Sequence, residues 1–396
     1  MKPKGFIFGG FVNGLGLVRS LAKEGIQSDV FDVKPCLAAQ SKSATYIQSP
    51  NPKNEDEFIQ FVIKKAKNQI LKPVCYITND IWLVPLLKNK KKLEEFIYFP
   101  MSDWDVIEKC YDKEYLSDLC KINEIPHPRS YFPNNTDEII KKLSDFNFPL
   151  ILKPVETVGF MEKLNWESRN KILKDTNDLQ KVVLEMDNAG FKNRRIILQE
   201  VIPGDVKSLY TFTSYSNKKG KVVAWSIGHK LRQIPPEAGT ISAGKVIPNS
   251  DLERIGINLI ETIGFHGIAN TEFKLDKKTG EFKLIEINAR PGMWNLSALQ
   301  SGINLPLLAY GDACGYSDYK YTGTNNIELV WINSIYDFMY FFVGIGCKKK
   351  FRHNIINRIK ENKGKKVQSI LSFSDPMPYI WTILKTIKKY IFNISN

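Results

Sequence analysis

The stretch from Thr271 to Gly292 constrains this chain more than any other. It reads TEFKLD, a Lys277-Lys278-Thr279-Gly280 turn, and then EFKLIEINARPG. Apolar and polar residues alternate on both sides of the turn, the pattern of a β-hairpin. Strand side chains alternate between faces, so Glu286, Asn288 and Arg290 share one face. Folding at the turn brings Glu272 close to Glu286. Two carboxylates and an amide oxygen then converge beside a guanidinium. Carboxylates this close repel unless one holds its proton. A hard divalent cation removes that conflict, and an all-oxygen donor set suits Mg2+. A plain amphipathic hairpin with a solvated acidic face shows the same alternation, so the decision falls to the rest of the chain.

The chain opens with GFIFGGFVNGLGLVRSLAKEGIQSDVFD, which reads strand, Gly-rich turn, helix, strand. This is the βαβ start of a doubly wound sheet. A dinucleotide site needs Gly-x-Gly-x-x-Gly. Here Gly14-Leu15-Gly16 is followed by Arg19 in place of the third glycine, so NAD binding is not expected. The strand VCYITND, 74 to 80, ends in the polar residues found where an α/β sheet opens its crevice. Further along, FPLILKPVE carries Lys153 at the end of a buried strand. A lysine there is expensive to bury unless it meets an anion. RIILQEVIPGD then runs an apolar strand into a Pro-Gly turn at Pro203-Gly204. An extended Glu200-Val201-Ile202 segment before such a turn offers the backbone donor and acceptor that adenine recognition needs. An ordinary strand end offers the same groups.

The string FKLIEINARPG, following TEFKLD at hairpin distance, resembles the metal-binding end of the ATP-grasp superfamily, and the branch it resembles most is that of D-aspartate ligase-like carboxylate–amine ligases. The resemblance covers roughly residues 110 to 312. It implies that Glu272 and Glu286 hold Mg2+, with Glu286 bridging two ions and Asn288 completing the shell; Mn2+ is an alternative. It implies that Lys113 and Lys153 contact the ATP phosphates, that Glu200, Val201 and Ile202 line adenine, and that Asp205 meets the ribose. KLRQIPPEAGT resembles the segment of amino-acid ligases that faces the acyl phosphate. Arg232 and Arg290 are then the catalytic cations, with Thr240 or Ser242 touching the substrate carboxylate. Family members follow the second lysine with a Gly/Ser-rich flap, whereas this chain has VETVGFMEKLNWESRNKILK with the one glycine Gly159. The implied activity activates a carboxylate as an acyl phosphate and joins it to an amine. A bicarbonate-activating carboxylase or carbamoyl-phosphate type of enzyme is the alternative, and a non-catalytic, membrane-associated nucleotide-binding scaffold is another.

The implied fold class is α/β (α+β), with a Rossmann-like domain over 1–108 and an ATP-grasp domain over 109–330, whose lid is about 136–200. A basic, mostly helical extension covers 331–396. The chain of 396 residues is long enough for two or three packed units. Six scattered cysteines and no Cys-x-x-Cys point to reduced thiols in a cytoplasmic protein. Four histidines without ligand spacing argue against zinc. Neither a signal peptide nor a membrane-spanning run is expected, because Met1-Lys2-Pro3-Lys4 leads straight into a strand and no uncharged apolar run reaches about 18 residues.

The net charge is +14, and the segment from Trp331 on holds twelve Lys/Arg against three acids. Near its end Ile380, Ile383, Leu384, Ile387 and Ile391 form a helical apolar stripe with Lys385, Lys388 and Lys389 largely off it. That pattern fits a helix lying on an anionic membrane surface, at the inner face of the membrane, and hints at a lipid-linked acceptor. A terminal helix docked on the body fits it equally. No nucleic-acid motif accompanies the charge. The partners expected are a small-molecule carboxylate and an amine, and the oligomeric state is left open.

Overall fold

The computed structural model describes residues 1–141, 147–154, 164, 170–234, 239–316, 328–337, 358, 360–362 and 364–392. Most of the expected flap, Pro235-Pro236, Cys347 and the basic run 348–353 lie outside them. The chain divides into two compact units. Unit 1 comprises Met1–Tyr111, Asp205–Phe273 and Glu286–Asn396; unit 2 comprises Asp112–Gly204 and Lys274–Ile285.

Unit 1 begins with a parallel sheet of order β3-β2-β1-β4, formed by β1 (Gly5–Phe8), β2 (Ser28–Asp32), β3 (Ala44–Gln48) and β4 (Val74–Ile77). Fully buried strands in a parallel sheet read as continuous apolar runs, and β1 and β4 do. Its helices include α1 (Val12–Ala22), α2 (Glu55–Lys67), α3 (Asp80–Lys88), α4 (Lys90–Leu93) and α5 (Trp104–Tyr111).

Unit 2 contains α6 (Lys113–Ile122), β5 (Ser130–Tyr131), α7 (Thr136–Lys141), β6 (Leu150–Pro154), β7 (Lys171–Leu173), α8 (Thr176–Asn188) and β8 (Ile196–Glu200). Its strands form an antiparallel sheet of order β5-β8-β6-β7. One face of α8, with Leu179, Val182, Val183 and Met186, packs with Leu150, Leu152, Ile196 and Leu198 of the sheet.

The chain then continues, in unit 1 except for 274–285, with β9 (Leu209–Ser216), β10 (Val222–Ile234), β11 (Thr240–Val246), α9 (Ser250–Ile263), β12 (Gly267–Leu275), β13 (Phe282–Asn288), α10 (Trp294–Gln300), α11 (Leu305–Cys314), β14 (Leu329–Ile332), β15 (Lys365–Gln368) and α12 (Met377–Phe392). The seven strands make one sheet of order β13-β12-β9-β10-β11-β14-β15. Local chemistry sets α9. Asn249 caps it by accepting from the Leu252 N–H, and Gly264 ends it at φ 69°. The buried Trp294 of α10 lies so close to Gly228 and Gly244 that a Cβ on either would fall within 2.5 Å of its ring.

The described residues are arranged differently from two of the domain expectations. The segment from residue 331 is not a separate extension, because β14 pairs in parallel with β15 and carries it into the main sheet. Its described residues outside β14 and β15 are mostly helical, with α12 the longest element. The span 109–330 also does not hold together as one unit, since 112–204 separates from 205–273. Strand pairing between residues far apart in sequence decides both outcomes, and composition does not record it. Cys36, Cys75, Cys110, Cys120 and Cys314 are free thiols, as expected. Among the described residues no helix is long and apolar enough to cross a membrane.

Candidate active site

The predicted hairpin forms. The Asp276 N–H donates to Glu281 O at 2.8 Å across the turn, and Lys283 pairs with Asp276 at 2.8 Å. β12 and β13 are neighbours at the edge of the main sheet. Glu272, Glu286, Asn288 and Arg290 are all half-buried. Along β13 the buried positions run Phe282 and Leu284, then Ile287 and Ala289, so the alternation slips by one residue at Ile285–Glu286.

The polar row is linked. Asn288 Nδ2 donates to Glu286 Oε1 at 3.0 Å, and Arg290 Nη2 donates to Asn288 Oδ1 at 3.1 Å. Arg290 also grips Asp80 with both edges of its fork, Nε to Oδ1 at 2.8 Å and Nη2 to Oδ2 at 3.2 Å. Tyr111 donates its hydroxyl to Asp80 Oδ1 at 2.8 Å. Burial pushes the Asp80 carboxyl up, but Arg290 and Tyr111 outweigh it and hold it below its ordinary value. Burial likewise pulls Arg290 down, and Asp80 more than restores it. Burial and then Asp80 push the Tyr111 hydroxyl up, so it stays a donor. Asn13 Nδ2 donates to Thr78 O at 2.7 Å and to Pro291 O at 3.3 Å, fastening the start of α1 to the end of β4 and to the residue after Arg290.

Asp80 and Tyr111 were not singled out from sequence. The available signal was the polar end of VCYITND, and Asp80 is the residue that ends it. Tyr111 carried no signal.

The phosphate and adenine candidates, Asp205 apart, lie in unit 2. Lys153 Nζ donates to Gln199 Oε1 at 3.0 Å, and Gln199 Nε2 donates to Ser130 Oγ at 2.8 Å, so neighbouring strands orient this lysine. Lys113 is the first residue of α6, with Asp112 as its cap accepting from the Glu114 N–H at 2.9 Å. A cation at a helix N-terminus opposes the macrodipole and suits an anion there. The Glu200 N–H donates to Arg129 O and the Val201 N–H to Pro149 O, each at 3.0 Å. Asp205, in unit 1, is exposed and accepts from the Lys207 N–H at 3.2 Å.

Two of the expected site residues are buried in unit 1. Arg232 does not face an open site: it is 4% exposed. Its Nε donates to Asp337 Oδ1 at 2.7 Å, Nη1 to Glu361 Oε2 at 2.6 Å and Nη2 to Asn362 Oδ1 at 2.8 Å. The acids that neutralise it come from the C-terminal segment, 105 and 129 residues on. Ser242 is fully buried in β11, out of reach of a substrate, whereas Thr240 at the start of that strand is half-buried.

Among the described residues no group of three or more His, Cys, Asp or Glu side chains forms a metal centre. The donors at hand are Glu272, Glu286 and Asn288, all oxygen ligands. They fit a cation that takes its remaining ligands from water and substrate phosphates, which is the habit of Mg2+.

No protein-family model matches the chain. It is 26% identical over 259 residues to the D-aspartate ligase of Enterococcus faecium, a match covering 63% of this chain and 61% of that protein. The chain is a homologue of this D-aspartate ligase. It is also 22% identical over 323 residues to the N-terminal section of the carbamoyl phosphate synthase large chain of Aquifex aeolicus, covering 77% of this chain and 54% of that protein. It spans, then, between about half and two thirds of these relatives' lengths. Its fold is similar to that of N5-carboxyaminoimidazole ribonucleotide synthetase in complex with ADP, with a TM-score of 0.62 at 14% identity over 84% of this chain and 82% of that one.

Proposed function

We propose that this chain is an ATP-dependent, ADP-forming carboxylate–amine ligase, whose carboxylate substrate is an amino acid. The observation that carries the reading is the Glu286–Asn288–Arg290 row, with Arg290 gripped by Asp80, in a homologue of D-aspartate ligase. A carboxylate cannot acylate an amine at neutral pH, because its oxygen is a poor leaving group. Attack of that oxygen on the γ-phosphorus of ATP makes an acyl phosphate as the bond to ADP breaks. The amine nitrogen then attacks the acyl carbon, phosphate leaves, and the nitrogen sheds a proton. Neither step needs a side-chain nucleophile; both need positioning and charge neutralisation.

Lys113 and Lys153 hold the phosphates in this reading. Glu200, Val201 and Ile202 border adenine, with the Ile202 N–H as donor because the N–H groups of the two residues before it bond within unit 2. Asp205 meets the ribose and Thr240 the substrate carboxylate. Glu272, Glu286 and Asn288 hold one or two Mg2+, and Mn2+ suits the same oxygens. When bound, Mg2+ neutralises the phosphate charge. Arg290, aimed by Asp80, faces the transferred phosphoryl group. The basic C-terminal segment supports an acceptor amine on a cell-wall or surface-polymer precursor, reached by a cytoplasmic protein at the inner face of the membrane.

A second reading, activation of bicarbonate, is supported by the likeness to carbamoyl phosphate synthase. One assay separates the two. Phosphate release from ATP and Mg2+ is followed across D- and L-amino acids and bicarbonate, with and without a candidate amine, and with Glu286→Ala as blank. Release that requires one amino acid and vanishes in the variant supports the ligase. Release with bicarbonate alone supports the second reading. ATP binding without release under any condition sinks both.

A further inference from the structure

We propose that α12 lays its outer face on an anionic lipid bilayer, and that the lysines beside it take lipid headgroup phosphates. The inference concerns membrane docking alone and stands without the ligase reading.

The segment from Trp331 to α12 is fastened to unit 1 by its acids. Asp337 and Glu361 bind Arg232. Asp375 binds Arg19 at 3.1 Å, and Arg19 Nη2 also donates to Ile370 O at 2.7 Å. These three are the only acids of that segment, and all of them point inward to cations. Its lysines are left to set the outer field.

α12 is oriented unlike an ordinary terminal helix. Tyr379 and Trp381 pack on the core of unit 1. The apolar stripe faces away. Met377 is 53% exposed, Ile380 43%, Leu384 60% and Ile387 47%, with Phe373 at 96% just ahead of the helix. Steps of three and four residues put them on one face. The alternative in which the stripe docks on the body is thereby excluded for these residues.

Behind the helix lies a cavity of about 910 Å3, shared with the β1–α1 turn. Among the described residues Lys34, Lys385 and Lys388 line it, with Asp32 as the one acid. Asp32 already accepts from the backbone N–H groups of Gly10 and Val33, at 2.9 and 2.8 Å. Lys385 stands over the Trp381 ring at 4.6 Å. An exposed apolar stripe flanked by lysines, beside a net cationic cavity, matches a surface of apolar chains under anionic headgroups. A second copy of the chain fits less well, because a two-fold contact through this face opposes each set of lysines to its own copy.

The test uses the full chain, since β15 belongs to the main sheet and truncation would remove it. Co-sedimentation is measured with phosphatidylcholine vesicles, alone and with phosphatidylglycerol added. Binding is expected only with the anionic lipid, and to weaken with salt. Lys385→Gln and Lys388→Gln are expected to weaken it by about fivefold each. Leu384→Glu with Ile387→Glu is expected to weaken it roughly tenfold or more, while Ile70→Glu, at an exposed site outside α12, leaves it unchanged. Near-ultraviolet circular dichroism checks that each variant keeps its fold. Equal binding to neutral vesicles, no binding, or wild-type binding by the double glutamate variant overturns the proposal. So does a vesicle-free dimer that the same variant dissociates, which would make a second copy the occupant.

Discussion

Asp337→Ala is expected to destabilise unit 1 by about 3–5 kcal/mol, the cost of leaving a buried partner charge uncompensated. Asp337 is fully buried, accepting from Arg232 Nε at 2.7 Å and from Arg358 Nε at 2.8 Å. Its loss leaves two guanidinium donors without that acceptor, each costing roughly 1.5–3 kcal/mol. Arg232 keeps Glu361 and Asn362, which places the total near the middle of the range. Urea unfolding followed by tryptophan fluorescence measures it, because Trp331 and Trp294 are both buried in unit 1. Asp337→Asn, which keeps one acceptor oxygen, should cost less. The double variant with Arg358→Ala should cost less than the sum of the singles, since one orphaned donor is removed. The reasoning fails if Asp337→Ala unfolds within about 1 kcal/mol of wild type while ATP-dependent phosphate release collapses. Arg232 would then be a catalytic cation after all and its ion pairs incidental.

Three further outcomes are expected. Asp80→Asn replaces the acceptor of the Arg290 fork by an amide and should lower turnover by roughly 10²-fold through misplacement of Arg290, with little change in ATP affinity. Because the folded Asp80 carboxyl lies below its ordinary 3.8, the tether is fully present above that value and is lost as pH falls through the lower one. The pH profile above about pH 5 should therefore keep its shape in the variant. Gly228→Ala drives a methyl to 2.5 Å from the Trp294 ring and should cost about 1–3 kcal/mol by overpacking, read as a lower urea midpoint. Burial holds His229 and His266 below 6.5, against the pull of Asp312 on His266. The unfolded chain takes those protons first, so stability should fall as pH drops below about 6.5; His266→Asn should flatten that slope.

The hairpin was legible because its information is local: alternation, a Lys-Thr-Gly turn and a row of polar residues. Lys153 was legible for a similar reason, since a lysine ending an apolar strand has few explanations. Arg19 was read only as the glycine that a dinucleotide site lacked, whereas it holds the C-terminal segment through Asp375 and Ile370. Arg232 was read with the proline-rich loop beside it, because its acids are more than a hundred residues away. Asp80 escaped for the same reason, lying 210 residues from Arg290. The stripe on α12 was visible as a pattern, but which way it faced depended on where Trp381 and Tyr379 found partners.

The pairing of β14 with β15 has a consequence for how the protein is made. Among the described residues β15 is the last strand of the main sheet to leave the ribosome. Until it arrives, β14 presents a bare apolar edge of the kind that recruits other chains. A premature stop or a proteolytic cut ahead of Lys365 would therefore not yield a trimmed but working protein. It would leave the edge of β14 open to pairing with other chains.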